Sequence, residues 1–413
     1  MKLIIRPLLD KYYFSLLIII IICALPLPLF VSNLAYLLLI LYTIYYCFNN
    51  KIKPNYNKAS IAFICFYFLM VVSYFWSINK DLTLVGIIRK SAFLIIPILF
   101  LFIPKFSLDE IKRIFRYFSF VMGGFAIIFI TIGLLHFIKT GSLVNLTQHE
   151  LVSPLDLNRI YVSLFSVAAF FYMLFNEKKN LLNKFLIALL VVFLLLLSSK
   201  SILITTLVIV FFYFLLKWKS ISVLKITLFF TLIVSILLVF LKFNPKFYTE
   251  LFPRFSEIVT GQNYKKNYYF NGSELRLLYT RFLYEFENEE PILFSGFGLG
   301  ATQEKINEKC IKYNVPEGYG TEFNFHSQYN QTLAEVGVFG FIILVYSLYI
   351  GFKFAIKNKS PFIIAVFMIF SILFFTESVF NRQRGVYFFL FMYFLLFNID
   401  FSKKEIELNF NNR

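Results

Sequence analysis

Apolar runs of about 15–25 residues recur along most of the chain, separated by short polar connections. Two of them, FSLLIIIIICALPLPLF and ITLFFTLIVSILLVFL, are long enough as helices to cross a hydrocarbon core of ~30 Å. The pattern predicts about twelve membrane spans, at 12–31, 33–48, 59–77, 84–103, 114–138, 160–175, 184–199, 201–216, 223–243, 332–352, 361–377 and 385–400. Residues 184–216 form one apolar block broken only by SSKS at 198–201. As a single helix the block would measure ~50 Å, too long for one crossing. It therefore divides into two short spans turning at Ser198–Ser201.

One segment departs from this rhythm. Residues 244–331 are polar and turn-rich, and a connection of about 85 residues is functional or a small domain of its own. Inside it, SELRLLYTRFLYEFENEE carries apolar residues at helical spacing, with Ser273 the expected N-cap and Pro291 the stop. The glycine-rich FSGFGLGATQEK follows. The expected fold is an all-α integral membrane protein: nine spans over 1–243, a loop domain over 244–331, then three spans and a tail over 332–413.

Composition excludes the soluble alternative. Of 413 residues, 59% are hydrophobic, 15% are charged and 57 are Phe, more apolar side chain than a soluble fold can bury. The net charge of +17 is distributed in small clusters between apolar runs: KIKPNYNK, PKFSLDEIKRIFR, NEKKNLLNK, KWKS and KFAIKNK. Basic residues collect in short cytoplasmic loops, so both termini are expected in the cytoplasm and segment 244–331 outside. No folded basic domain is visible for nucleic acid. The first apolar run lacks a convincing small-residue cleavage site and reads as a retained span. Cys23, Cys47, Cys65 and Cys310 outline no disulfide framework.

Cations on the outer side run against that bias: Arg89, Lys90, Arg159, Lys200, Arg276, Arg281, His326, Arg382 and Arg384. Arg89 and Lys90 sit inside an apolar run, where charge must face protein or a watery cavity. A cavity lined by several such groups attracts a phosphorylated ligand, and Arg forks onto phosphate oxygens. His326 adds a group that takes a proton near neutral pH. With Ser327, Gln328, Asn330 and Gln331 it gathers polar groups at the mouth of an apolar run. Plainer readings stand beside these. Arg276 is otherwise a solvated loop residue, His326 an interfacial anchor, and Lys200 a turn cap that snorkels to headgroups. Arg382 and Arg384 are otherwise lipid-headgroup ligands, and Glu377 an ion-pair partner for one of them. FSGFGLG is either a phosphate loop or a site of close helix packing. No Asp-x-Asp pair for a metal-bound sugar nucleotide occurs, and no metal or other cofactor is expected.

The ordered set Arg276, Pro291, Gly296-Phe-Gly298-Leu-Gly300, His326 and Gly337-Val-Phe-Gly340 resembles the signature region of the O-antigen ligase and polymerase family, over roughly 273–345. The resemblance implies a GT-C-type glycosyltransferase of the bacterial inner membrane, with one large periplasmic loop between spans nine and ten. Such enzymes take a glycan from undecaprenyl pyrophosphate, without metal and with inversion. A ligase passes it to a lipid A core sugar, and a polymerase to another lipid-linked repeat. The implied catalytic residues are His326 and Arg276. Arg89, Lys200, Arg281, Arg384, Gln328 and Asn330 are candidates for holding pyrophosphate or glycan. Ligases of the family carry Arg in the turn between the two short central spans; Ser199-Lys200-Ser201 keeps the charge there but not the fork. A transporter or flippase of a lipid-linked anion is the reading from another class. Two related halves with charged or broken helices at mid-membrane would mark it, and none is visible.

Overall fold

The computed structural model describes residues 2–216, 231, 254–265, 267–319 and 324–401. Among the described residues nine helices precede the large loop: α1 Lys2–Cys23, α2 Leu29–Asn50, α3 Lys58–Val72, α4 Lys80–Arg89, α5 Ala92–Phe102, α6 Leu108–Thr140, α7 Arg159–Asn176, α8 Leu181–Leu197 and α9 Lys200–Leu216. The loop contributes α10 Phe255–Thr260, α11 Gly272–Glu289 and α12 Thr302–Lys312. Then come α13 Gln328–Lys357, α14 Pro361–Thr376 and α15 Gln383–Phe397. Among the described residues the only strands are Phe106–Ser107 and Ile399–Asp400, paired in parallel.

Among the described residues six stretches are long and apolar enough to cross a membrane: Leu29–Asn50, Lys58–Phe75, Lys80–Phe102, Leu108–Thr140, Arg159–Asn176 and Gln328–Lys357. Shorter apolar helices at Leu181–Leu197, Lys200–Tyr213, Pro361–Thr376 and Gln383–Phe397 complete the bundle. The expected ninth span, 223–243, lies outside the described residues. The first is corrected: α1 ends at Cys23 and α2 begins at Leu29, because Pro26 and Pro28 lack the N–H that would continue a helix across 12–31. The split at Ser198 holds. That residue closes α8 in the left-handed region, φ 49°, and Lys200 opens α9.

Helices that are apolar all round belong inside a bundle, and α15 is the case here. Every residue from Gly385 to Leu396 is buried. Its phenylalanines meet those of neighbouring helices edge-on, as in Phe63–Phe389 at 5.8 Å and Phe370–Phe389 at 4.9 Å. In lipid such side-chain interlocking, rather than expulsion of water, holds helices together.

The bundle has two distinct ends. At one, Asn55 N–H donates to Leu101 O (2.7 Å), the two short strands pair, and Arg116 clasps Glu177 (2.9 Å). Four basic clusters lie there; KWKS and the terminal KKE fall outside the described residues. At the other end stand the large loop and the connections 24–28, 73–79, 141–158 and 377–382. Arg384 donates to Leu25 O and Leu27 O, and the Trp76 indole to Ser295 O (2.8 Å).

The loop folds on a core of its own, with Ile258, Phe270, Leu278, Phe282, Phe286 and Phe297. The N-cap of α11 is corrected from Ser273 to Asn271. Asn271 Oδ1 accepts from the N–H groups of Ser273 and Glu274, and Glu274 reaches back to Asn271 N–H, the reciprocal pattern that favours Asn with Glu three residues on.

The glycine-rich stretch is a packing device. At Gly337 α13 leaves helical geometry (φ 69°, ψ −169°), and the ladder is exchanged for bonds to the loop. Phe297 N–H donates to Ala334 O (2.8 Å), Gly298 N–H to Glu335 O (3.0 Å), and Val338 N–H to Leu293 O (2.6 Å). A Cβ on Gly337 would strike the Phe294 carbonyl, and one on Gly296 the Glu335 backbone. Gly337→Ala therefore adds a steric clash to a conformation that itself costs about 1–3 kcal/mol for a residue with a side chain. We expect a loss of at least ~2 kcal/mol, measured by thermal unfolding in detergent. Fluorescence of Trp76, bonded to this loop, should change at the lowered midpoint.

Candidate active site

His326 is delivered by a backbone that few side chains adopt, φ 46°. Its N–H is held by Asn324 Oδ1 at 2.8 Å. The next residue, Ser327, caps α13 by accepting from Asn330 N–H and donates its own hydroxyl to Phe374 O (3.1 Å). The imidazole stacks on Tyr279, with centroids 6.0 Å apart and planes at 19°. Burial, then the neighbouring Arg276, push the imidazole pKa down to about 4. Both disfavour the charged form.

Arg276, one turn before Tyr279 on α11, is fixed from two sides. Its Nε donates to Thr376 O (2.8 Å) and its Nη1 to Gly272 O (3.0 Å). Thr376 ends α14, so the loop helix is fastened where that helix stops. The next residue, Glu377, stands outside the helix in the connection 377–382 and is buried. Burial pushes its carboxyl up to about 7, against the pull of Arg276 and Arg382. Tyr161, near the start of α7, lies within electrostatic reach of Glu377 and Arg382 and places its hydroxyl 3.4 Å from Val379 O.

Tyr161 and Arg382 also line a cavity of about 550 Å³, with Arg159, Arg384, His149 and Asn158 in its wall. Its electrostatics are one-sided. The first turns of α7 and α15 face it, so the positive ends of two helix dipoles add to three guanidiniums. Arg159 occupies the first position of α7, where a cation opposes the dipole. Asp156 is the lone carboxylate in the wall, and it acts on Arg384. Arg159 and Arg382 have no ion-pair partner among the described residues. Lys200 opens α9, which packs on α7 and α14, and so stands at the same end of the bundle.

The other expected residues go elsewhere. Arg281 is drawn into the loop core: it pairs with Glu285 (2.7 Å), donates to Ile258 O and Gly261 O, and lies over Tyr313. Gln328 is buried with both ends occupied, its oxygen accepting from Phe380 N–H (2.7 Å) and its amide donating to Thr332 (3.0 Å). It docks the connection 377–382 onto α13. Asn330 donates to Thr280 Oγ1 (2.9 Å) and positions α11. Arg89 is exposed at the end of α4, with no hydrogen bond or ion pair among the described residues. Its neighbour Lys90 turns inward to Glu335 at 2.9 Å. Gln331 joins that network by donating to Glu335 Oε1 (2.9 Å). The polar opening of α13 thus serves mainly to tie elements together.

Residues 185–345 match the O-antigen ligase family. The matched segment runs from α8 through the loop into α13, and so contains Lys200, Arg276, the glycine-rich stretch, His326 and Gly337. No curated protein matches the chain. The match suggests an O-antigen ligase- or polymerase-like function for a membrane protein. Arg159, Glu377 and Arg382 lie outside the matched segment, and the fold alone brings them to the site.

Residue order carried part of this. Arg276 and Tyr279, three apart, share one face of α11, and that spacing is visible before folding. Glu377 and Arg382 were visible as charges, but no local pattern pairs them with a helix a hundred residues upstream.

Proposed function

We propose that this protein transfers a glycan from undecaprenyl pyrophosphate to a lipid A core sugar at the periplasmic face of the bacterial inner membrane. What most supports this is the positive cavity of Arg159, Arg382 and Arg384, whose wall residue Tyr161 interacts electrostatically with Glu377, as Glu377 does with Arg276 and Arg276 with His326. The basic clusters at the opposite end of the bundle favour a cytoplasmic placement for that end, hence a periplasmic one for the loop. Negative charge grows on the pyrophosphate as the glycosidic bond breaks, and fixed guanidiniums stabilise that state more than the ground state. Arg276, held by two carbonyls, needs no reorganisation to serve it. His326, neutral and stacked on Tyr279, accepts a hydrogen bond from the acceptor hydroxyl. Attack from the face opposite the pyrophosphate inverts the anomeric carbon. In this proposal no metal takes part.

The test is transfer by the purified full chain in liposomes, with undecaprenyl-pyrophosphate glycan and each candidate acceptor. We expect product with the core lipid and no added metal, and a fall of about 10²-fold for His326→Ala, the scale of one lost proton-handling group. Unaltered transfer by that variant would remove His326 from the chemistry. Elongation of a second lipid-linked repeat in place of core glycosylation would make the protein a polymerase at the same site. Movement of the intact lipid-linked anion across the bilayer with no transfer would make it a flippase.

A further inference from the structure

The connection 141–158 carries polar groups for which the reading above has no task. It is held firmly: Leu151, Val152 and Leu157 are buried in a core shared with Phe129 of α6 and Phe193 of α8. Gln148 N–H donates to Leu196 O (2.9 Å) near the end of α8, and Asp156 N–H to Ser153 O (2.9 Å). Gln148 and Asp156 both stand in the left-handed region, φ 57° and 48°, an uncommon conformation for residues with a side chain. Together with His149 and Asn158 they line the cavity of Arg159, Arg382 and Arg384, and all four are exposed to it. Among the described residues the side chains of Gln148, His149 and Asp156 make no hydrogen bond and no ion pair within 4 Å. Asn158 spends only its oxygen, on Ile160 N–H at the start of α7 (2.8 Å), and keeps its amide donors. Other polar side chains of this connection turn back on the chain, as Asn145 does on Thr140 (2.7 Å) and Ser153 on Glu150 O (2.8 Å).

The wall therefore has two chemical halves. Three guanidiniums suit phosphate, which offers them only acceptors. The other half mixes amide, imidazole and carboxylate, and a carboxylate can only accept. Against phosphate alone Asp156 would repel its ligand; against a sugar it receives hydroxyl protons. A cavity of about 550 Å³ also takes a ligand far larger than two phosphates. We propose that Gln148, His149, Asp156 and Asn158 form a subsite for the first sugar of the donor, the ring bonded directly to the pyrophosphate. The two halves share one wall, as that sugar and its phosphates are one covalent unit. The sugar is uncharged, because a uronate would set a second carboxylate against Asp156. The assignment rests on the transfer reading given above.

The experiment measures binding to the full chain in nanodiscs of undecaprenyl pyrophosphate, bare or carrying one glucose, galactose, N-acetylglucosamine or glucuronic acid. Wild type should bind at least one neutral-sugar lipid about tenfold more tightly than the bare lipid, the scale of one or two net hydrogen bonds. The glucuronic lipid should gain nothing. Asp156→Gly and Asn158→Ser should each reduce that preference to about threefold or less, with elution and thermal midpoint unchanged. Glycine suits the left-handed backbone, and serine still caps α7. If either fails to fold, His149→Ala carries the same expectation. Arg382→Ala should weaken every lipid and leave the preference intact. A wild type without the preference, one that favours the glucuronic lipid, or wall variants that retain the preference overturn the subsite. Wall variants that instead raise only the KM for the core lipid give the wall to the acceptor sugar and overturn the donor assignment. Transfer by a wild type that binds all the lipids alike strikes the subsite alone. A wild type that neither binds nor uses any of them strikes the transfer reading with it.

Discussion

Arg276→Ala lowers transfer by about 10²–10³-fold, the loss that follows removal of one preorganised donor from a developing anion. The size comes from geometry rather than charge alone. Thr376 O and Gly272 O hold two faces of the guanidinium, so its remaining donors are already oriented when the pyrophosphate arrives. Arg276→Lys tests this. It keeps the charge but cannot bond both carbonyls and still present a fork, so it should recover only a small part of the rate. The alanine variant also loses the tie to α14, a net cost of about 1 kcal/mol per hydrogen bond, too little to unfold the chain. Transfer rates read beside donor-analogue binding separate the effects: the rate should fall far more than the affinity. Equal loss in both would make Arg276 a binding group only, and no loss in either would remove it from the site.

Lys90→Met should destabilise the protein by about 3–5 kcal/mol, the cost of leaving one member of a buried ion pair without its partner. Lys90 and Glu335 have side chains 9% and 4% exposed and meet at 2.9 Å. The same carboxylate accepts from Gly300 N–H (3.1 Å) and Gln331 Nε2 (2.9 Å). It thereby holds the break between α4 and α5, the glycine-rich stretch and the kinked α13 together. Adding Glu335→Gln to Lys90→Met removes the stranded charge and keeps an acceptor for Gly300, so the double variant should regain most of the loss. Thermal unfolding of the two single variants and the double variant measures the coupling. Simple additivity would mean the pair holds nothing together, and a single variant as stable as wild type would show that water reaches Glu335.

These outcomes bear on how a chain of this kind is read. The apolar runs, the turn at Ser198, the helix of Arg276 and the long loop were all legible, because hydropathy and helical spacing are local properties. The N-cap of α11 slipped by two residues because Asn271 and Ser273 are both capping residue types at the start of the helix, and only the reciprocal bond from Glu274 chooses between them. Lys90 and Arg281 were plausible phosphate ligands on charge. Each instead found a carboxylate, Glu335 at a separation of 245 residues and Glu285 four residues away. Gln328 looked equally suited to a sugar until Phe380 N–H took its oxygen.

The chain by itself determined that this is a multi-helix membrane protein with a segment similar to the O-antigen ligase family, with Arg276 and His326 in a set order. Only the tertiary structure decided which polar groups are spent on one another and which remain for a ligand. The reason is physical: a buried polar group must find a partner, and the nearest partner in space is set by which helix ends meet. Arg276 reaches the end of α14 a hundred residues away, and no periodicity within either helix encodes that encounter.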